Sequence, residues 1–447
     1  MGPTEQKSTR EGRERLPAVV AWGAWALLSA GLVGYVCVVN ADVPISDDWQ
    51  LVPVYTGHEA VTLSWLWAPL NEHRLPLIKL MLLLGGAATG HDYRTGQLLS
   101  ALTLSALAAF MIVTAGRLRG GLKISDVFLP MALLHWGQSE TLLIGFAINL
   151  AVSTALLGSA LLIVVRVRGV PSPSQGFLFG GLLLALPLCG MNGVAMVPPL
   201  ALWLIVAAVV VWRSGDPIGR RVATVWAALS VAALALSAVC VLSMPAARGG
   251  AAPPTAEQVA RTAAQFFAEG LGPIAEPTWP LSGVALAALA AVTLFRLRQE
   301  ARAGPNEWLR VLGLLAVGAA LVALALAVGW GRGLIGPKAG LMTRYATMAV
   351  PALCLAYFVA RTAPRRALAV ALAALMVGLF AYNTYHGIDR AGPRRARMRA
   401  LAADVAEGQT PAELGKKWAD LYNPQAEATV TRYFEMMRDA HQGPFRG

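Results

Sequence analysis

The sequence predicts an all-α fold, a polytopic transmembrane bundle of about eleven helical spans, and three observations carry that prediction. Of the 447 residues, 56% are hydrophobic and only 14% are charged, whereas soluble domains have roughly 25% charged residues. The mean hydropathy is +0.56. The apolar residues fall in runs of about 17–25 residues, the length that crosses a ~30 Å hydrocarbon core. A soluble fold could not bury so much apolar surface, so we expect membrane helices.

The first apolar run follows a basic N-terminus and is long enough to cross the membrane. The Asn40-Ala41-Asp42 segment after it is a poor cleavage site, so the run predicts a retained signal anchor rather than a cleaved signal peptide. We therefore expect residues 1–17 in the cytoplasm and a transmembrane bundle over residues 18–385. The predicted spans lie at 18–39, 97–116, 125–137, 142–165, 176–190, 193–212, 222–243, 281–296, 308–330, 345–361 and 366–385.

Charge in the short loops sets the orientation. Lys and Arg crowd alternate loops, as in Arg117, Arg119 and Lys123, and the positive-inside rule places those loops and the N-terminus in the cytoplasm. The apolar stretch 75–90 is short and contains Lys79. If it crossed the bilayer, the downstream charge pattern would be inverted, so we expect an amphipathic helix lying along the outer interface.

This orientation gives the outer face a long first loop, residues 40–96 with interfacial helices, and a small helical extracytoplasmic tail, residues 386–447. Helix-like stretches in the tail lie at 396–407 and 429–441. The net charge of +12 is carried by loops and tail, which membrane topology explains better than a nucleic-acid surface does. The four cysteines fall in or beside apolar runs, so we expect neither a disulfide framework nor structural zinc.

Two adjacent carboxylates, Asp47 and Asp48, follow the first span. Adjacent acids at a membrane surface repel each other and are costly to desolvate, which favours a role with a proton, a cation or a substrate. The alternative is a solvated loop with a helix N-cap, because Ser46-Asp47-Asp48 is also good capping chemistry. The residues alone leave both interpretations open.

Further polar residues are predicted at the same face. Glu72 and His73 precede the interfacial helix, where a snorkelling surface cluster is the alternative to a cavity lining. Gln138 and Glu140 lie between the third and fourth spans. Glu140 could also simply cap a helix, since a negative charge is stabilised at the positive end of the helix dipole.

A phosphate site is predicted where Arg344 opens the tenth span, with Arg332 and Lys338 nearby. A helix N-terminus and an arginine together favour a phosphate, and an interface anchor is the alternative. The segment 331–336 matches G-x-G-x-x-G, but it follows a membrane helix rather than a strand, so the match is a coincidence. Met191-Asn192-Gly193 is interpreted as an ordinary turn.

These segments together resemble the GT-C superfamily of integral-membrane glycosyltransferases, which includes protein O-mannosyltransferases and aminoarabinose transferases. The family's acidic pair in the first outer loop is matched by Asp47-Asp48, and its polar segment before an interfacial helix is matched loosely by the segment 71–76. Arg117-Leu118-Arg119 and Gln138-Ser139-Glu140 follow in similar order. The resemblance covers about the first 215 residues, departs from the commoner Asp-Glu pair, and lacks a large outer domain.

The resemblance implies an inverting glycosyltransferase in the cytoplasmic membrane of a bacterium, with a polyprenyl-phosphate sugar donor among membrane lipids and a glycan, lipid or protein acceptor. Asp47 or Asp48 would be the general base, and Asp47 is favoured as the first acid of the pair. Arg344 would hold the leaving phosphate with help from Arg332, Lys338 or Arg74. Asp47, Asp48 and Glu140 could hold Mg²⁺ or Mn²⁺ only with several waters, so the metal stays open.

Two other function classes compete with the enzyme. A transporter or lipid flippase could use the same charges as a substrate gate, but such proteins usually show inverted repeats and helices broken near the midplane. No convincing repeat is visible, and the ionisable residues crowd one face. A catalytically inactive scaffold is the third class.

Overall fold

In the computed structural model, residues 3–244, 252–304, 307–362, 367–422 and 427–446 are described, and they form helices and turns without a named β-strand. Arg248, Arg365 and Arg366, three of the loop arginines, lie outside the described residues, as does the start of the predicted last span at 366. The α-helices are α1 Pro3–Val39, α2 Val52–Tyr55, α3 Leu63–Trp67, α4 Pro76–Thr89, α5 Thr95–Arg117, α6 Phe128–Leu133, α7 Ser139–Leu143, α8 Ile148–Val164, α9 Pro173–Ala185, α10 Met191–Arg213, α11 Pro217–Leu242, α12 Ala256–Ala268, α13 Ala275–Thr278, α14 Leu281–Ala303, α15 Trp308–Arg332, α16 Arg344–Thr362, α17 Ala367–Ala406, α18 Pro411–Trp418 and α19 Glu427–Asp439.

The chain is a helical, multi-pass membrane protein. Among the described residues, eight helices are long and apolar enough to span a bilayer: Arg15–Val39, Thr95–Arg117, Gly145–Val164, Met191–Arg213, Pro217–Leu242, Leu281–Arg302, Trp308–Arg332 and Ala367–Ala406. The spans predicted at 125–137, 176–190 and 345–361 coincide with shorter apolar helices. The count of eleven spans therefore stays a prediction.

The central core is formed where apolar helix faces pack against one another. Trp203 of α10 is fully buried, and its indole N–H donates to the carbonyl oxygen of Leu309 at the start of α15, 2.9 Å away. A buried indole needs such a partner, since an unmade hydrogen bond in an apolar interior costs about 1–3 kcal/mol. At the same end of the bundle, buried Asp126 accepts from the Tyr357 hydroxyl at 2.7 Å and forms an ion pair with Arg119.

A second apolar cluster joins the first loop to the C-terminal tail. Trp49 of the loop is fully buried and stacks on Tyr433, with ring centroids 6.0 Å apart, while Phe434 meets it edge-on at 5.3 Å. The Gln442 amide donates to the carbonyl oxygen of Tyr55 at 2.8 Å. The tail therefore covers the loop that carries the acidic pair.

Helix α17 is continuous over 40 residues, so the predicted last span and the predicted tail helix at 396–407 are one element. Pro393 lies inside this helix, where a proline removes one backbone hydrogen bond and crowds the preceding turn, and tertiary packing can offset that cost. The continuous helix carries residues 390–406 beyond the bundle, where Met398 and Leu401 join the second apolar cluster.

Helix α4 has 14 residues, which span about 21 Å, too short for a ~30 Å hydrocarbon core. Lys79 on this helix lies over the Trp65 ring, 4.7 Å from its centroid, and donates to the carbonyl oxygens of Trp65 and Ala68. Leu84 on another face of the helix is 64% exposed. This geometry fits an interfacial helix with an apolar face available to lipid.

The first loop, the end of α15 and the C-terminal tail lie on one side of the bundle. Arg332 at the end of α15 donates to Glu72 of the first loop, and Arg446 of the tail lies 3.5 Å from Asp42 at the start of that loop. Cysteine labelling can measure whether this side faces the outside of the cell or the cytoplasm.

We expect cysteine labelling to show this side facing out. In a Cys37→Ser background, Ser64→Cys and Ala412→Cys should react with an impermeant maleimide in intact cells, because both positions are exposed on the loop and tail side. Ser174→Cys, exposed at the opposite end, should react only after permeabilisation. Cys37 is the one exposed cysteine of the four and has to be removed. Reaction of the Ser174→Cys variant in intact cells would reverse the orientation.

Candidate functional site

Asp48 is a buried carboxylate that fixes the first loop to the bundle. It lies in the 3-10 turn Ser46–Leu51 and is 1% exposed, with its two oxygens accepting backbone N–H groups of Gly145 at 2.9 Å and Phe146 at 2.7 Å. A side chain at residue 145 would meet the carboxylate, since an added Cβ would lie 2.8 Å from Oδ1. Glycine is therefore required there by close approach.

Burial, rather than repulsion from its neighbour, dominates the titration of Asp48. Loss of solvent raises the pKa of Asp48 to about 7, against the opposing effects of the two N–H donors and of Arg394. The charge of Asp47 makes only the smallest contribution. Adjacent acids repel each other, but the pKa values of these two differ mainly because of burial and hydrogen bonding.

Asp47 points to a different environment from Asp48. It is only partly buried, and its one hydrogen-bond donor among the described residues is the Asn71 amide at 3.4 Å. Burial raises the pKa of Asp47, and Glu72 acts in the same direction, while the Asn71 hydrogen bond, His73 when protonated and Arg344 lower it. Its carboxylate is the freer of the pair to meet a substrate.

The residue before Asp47 and its hydrogen-bond partner both have an unusual backbone conformation. Ser46, the residue before it, has φ of +55°, and Asn71, its hydrogen-bond partner, has φ of +50°. Side-chain-bearing residues visit this left-handed region at a cost of order 1 kcal/mol, and such residues are enriched at functional sites. The folded chain keeps both residues in this region despite the cost, and this backbone positions the Asp47 carboxylate.

His73 and Glu72 lie beside the acidic pair. The backbone N–H of Met191 donates to His73 Nδ1 at 3.2 Å, which leaves the ring proton on Nε2, 3.7 Å from Glu72. Burial lowers the pKa of His73, with Glu72 acting in the opposite direction. Interpretation of Met191-Asn192-Gly193 as a turn was wrong, because these residues begin α10.

Two arginines close the other side of the site. Arg344 opens α16 and its Nε lies 2.8 Å from Glu140, with the two side chains 38% and 27% exposed. Arg332 bonds to Glu72 and is also partly exposed. The structure therefore brings together Asp47, Glu72, His73, Glu140, Arg332 and Arg344, six of the ten predicted site residues.

The other four residues have structural contacts or lie further away. Asp48 is buried and accepts the two backbone N–H groups of Gly145 and Phe146. Gln138 is 2% exposed, bonding to the Leu133 carbonyl oxygen and the Thr347 hydroxyl. Arg74 stacks on Trp67 and donates to Ser243, so its guanidinium is occupied in joining the first loop to the end of α11. Lys338 pairs with Glu276 at 3.1 Å.

Sequence reasoning missed two charged residues near the site. Arg394 on α17 donates to the carbonyl oxygen of Leu143, and its charge lowers the pKa of Asp48. Glu269 is fully buried, and its carboxylate oxygens make no hydrogen bond within the described part of the chain. Burial, reinforced by Glu276 and Glu140, raises the pKa of Glu269 well above its ordinary value. The one sequence signal for Arg394 is the basic pair directly after Pro393.

The donor set does not favour a divalent cation. Both oxygens of Asp48 already accept backbone hydrogen bonds, and Glu140 is paired with Arg344. Across the described ranges, no group of three or more His, Cys, Asp or Glu side chains is placed to hold a metal ion.

Comparison with models of protein families, with curated proteins and with solved structures finds no match for this chain.

Proposed function

We propose that this chain is an inverting glycosyltransferase of the GT-C type, with about eleven spans, that moves a sugar from a polyprenyl-phosphate donor to an acceptor on the outer face of a bacterial cytoplasmic membrane. The observation that carries the proposal is a partly exposed carboxylate, Asp47, beside two ion-paired arginines, Arg344 with Glu140 and Arg332 with Glu72. Inverting transfer from a phosphate requires a base and a cation at opposite ends of the reacting bond.

Asp47 supplies the base in this proposal. The acceptor hydroxyl oxygen attacks the anomeric carbon of the sugar and gives its proton to the Asp47 carboxylate, while the bond from that carbon to the phosphate oxygen breaks. The bond electrons leave with the polyprenyl phosphate. A raised carboxylate pKa favours proton transfer near neutral pH, because a base is most effective when its pKa approaches the working pH.

Arg344 and Arg332 supply the positive charge for the leaving phosphate. They pair with Glu140 and Glu72, and these ion pairs hold both guanidinium groups at the site. A planar guanidinium offers two parallel N–H donors to a phosphate, and charge-assisted bonds of this kind are about twice as strong as neutral ones. Placing such donors where charge develops lowers the barrier.

A lipid-linked donor also suits the surroundings of the site. The first loop carries the short helices α3 and α4, and Leu63 on α3 is 85% exposed. Exposed apolar residues beside a charged site fit a donor whose tail stays in the bilayer while its phosphate reaches the arginines. No nucleotide-binding fold is needed, because the donor sugar is already activated by its phosphate.

Label transfer tests the proposal directly. We expect purified full-length protein to move label from polyprenyl-phosphate sugars into material of a crude envelope fraction, in a donor-dependent manner. Fractionation of the labelled material then distinguishes glycan, lipid and protein acceptors. Donor binding without transfer, together with movement of the intact donor across vesicle membranes, would contradict the enzyme and favour a lipid flippase.

A further inference from the structure

The end of the bundle opposite the candidate site contains a cavity lined by three arginines and one glutamate. Helix α5 begins beside the site, where Gly96 approaches Gly145, and its 23 residues carry the chain about 34 Å to Arg117. Just beyond that end lies a cavity of about 310 Å³. Its lining comprises Ala115, Leu118, Arg119, Val165, Val167, Arg168, Glu307, Arg310 and Phe358.

Two of the three arginines in this cavity are held rigidly. Arg119 donates Nε to the carbonyl oxygen of Ala115 at 3.1 Å and Nη2 to Asp126. Arg310 donates Nε to Glu307 at 2.6 Å and Nη2 to Glu300 at 3.3 Å. Their side chains are only 12% and 13% exposed. These bonds use Nε and Nη2 in each case, so Nη1 of each guanidinium stays available for a ligand.

The third arginine carries an uncompensated charge. Arg168 is exposed in the loop after α8, and within the described ranges its side chain forms neither an ion pair nor a hydrogen bond. Surface arginines are common, but this one lines a cavity together with two fixed guanidinium groups. The phosphodiester of a phospholipid has two non-bridging oxygens that share one negative charge, and Arg168 together with the free Nη1 groups can give them charge-assisted hydrogen bonds.

We propose that this cavity binds the phosphate of an anionic phospholipid. The phosphate would lie between Arg168 and the fixed groups Arg119 and Arg310.

The surroundings favour a lipid over a free anion. The same lining includes Leu118, Val165, Val167 and Phe358, at the ends of apolar helices where lipid headgroups lie. A second cavity of about 300 Å³ also contacts Arg119. Its other lining residues are the apolar Pro17, Ile124, Ala369 and Val370 and the polar Lys123 and Ser125. An acyl chain of the bound lipid would lie along the apolar members of this lining. The site is independent of the proposed glycosyl transfer, because it lies at the opposite membrane surface.

Native mass spectrometry of the delipidated full-length protein tests the site. Short-chain phosphatidylglycerol should bind, and Arg168→Gln should weaken that binding about tenfold or more, because one charge-assisted pairing is lost. Arg168→Lys should recover part of the affinity, since it restores the charge without the planar fork. Arg168 is exposed and outside the ion pairs, so these variants should fold normally.

Arg213→Gln is the matched control. Arg213 is an exposed arginine at the end of α10, outside the cavity lining, and its replacement should leave phosphatidylglycerol affinity unchanged. Phosphatidylcholine tests the effect of net lipid charge, and inorganic phosphate tests binding of the phosphate alone. Both should bind more weakly than phosphatidylglycerol. Equal losses in Arg168→Gln and Arg213→Gln, or equal binding of inorganic phosphate, would overturn the proposal.

Discussion

Asp47→Asn is expected to reduce sugar transfer by about 10²–10⁴-fold, the range that removal of a general base typically costs. Asparagine keeps the size of the side chain but loses its capacity to accept a proton. Asp47 makes one long hydrogen bond, at 3.4 Å to Asn71, so little of the fold depends on its charge. Expression, thermal stability in detergent and donor binding should therefore stay near wild type while turnover falls.

Asp48→Asn is the matched control for this variant, because it removes the adjacent carboxylate from a different environment. The amide nitrogen would face one of the two backbone N–H donors of Gly145 and Phe146, leaving it without an acceptor. A buried unsatisfied donor costs about 1–3 kcal/mol, so the thermal midpoint should fall. Near-wild-type transfer by Asp47→Asn would show that the proposed mechanism is wrong.

Arg344→Ala is expected to weaken donor binding by about 10–100-fold, which corresponds to the loss of one charge-assisted bond to phosphate. The arginine is partly exposed at the start of α16, and its Nε is paired with Glu140 at 2.8 Å. A phosphate with its negative charge would compete with Glu140 for the same guanidinium. The dissociation constant of a labelled polyprenyl-phosphate sugar in detergent measures the effect.

Arg397→Ala gives the matched control on the same side of the bundle. Arg397 is likewise exposed and ion-paired, to Asp420 at 2.7 Å, but it lies on the tail and away from Asp47. Its loss should leave donor affinity unchanged. Glu140→Gln should preserve or raise the affinity, since it releases Arg344 from a competing anion. Equal small effects of Arg344→Ala and Arg397→Ala would make Arg344 an interface anchor.

The C-terminal tail contributes a charge and apolar contacts to the buried side of the site. The charge of Arg394 lowers the pKa of Asp48, yet Arg394 comes from the tail end of α17, far along the chain from the first loop. The tail also covers Trp49, the residue after the acidic pair. The C-terminal segment is therefore part of the structure that holds the candidate base in place, rather than a separate appendage.

The sequence by itself determined the helical membrane class and the positions of most long helices. Hydropathy is a local property, because each run of about 20 apolar residues must cross the bilayer whatever its neighbours are. The same reasoning predicted a short apolar helix in the first loop, and α4 has 14 residues there. It also grouped Glu140 with Arg344, which form an ion pair in the folded chain. The interfacial position of α4 stays a prediction.

Only the tertiary structure decided what each polar side chain does. Asp47 and Asp48 are identical in type and adjacent, yet one is partly open and the other accepts two backbone N–H groups from a distant turn at Gly145 and Phe146. Arg74 and Gln138 are held by structural hydrogen bonds, and Glu269 and Arg394 reach the site from distant segments. Burial and hydrogen-bond partners depend on which helices pack together, and hydropathy along the chain carries no information about that pairing.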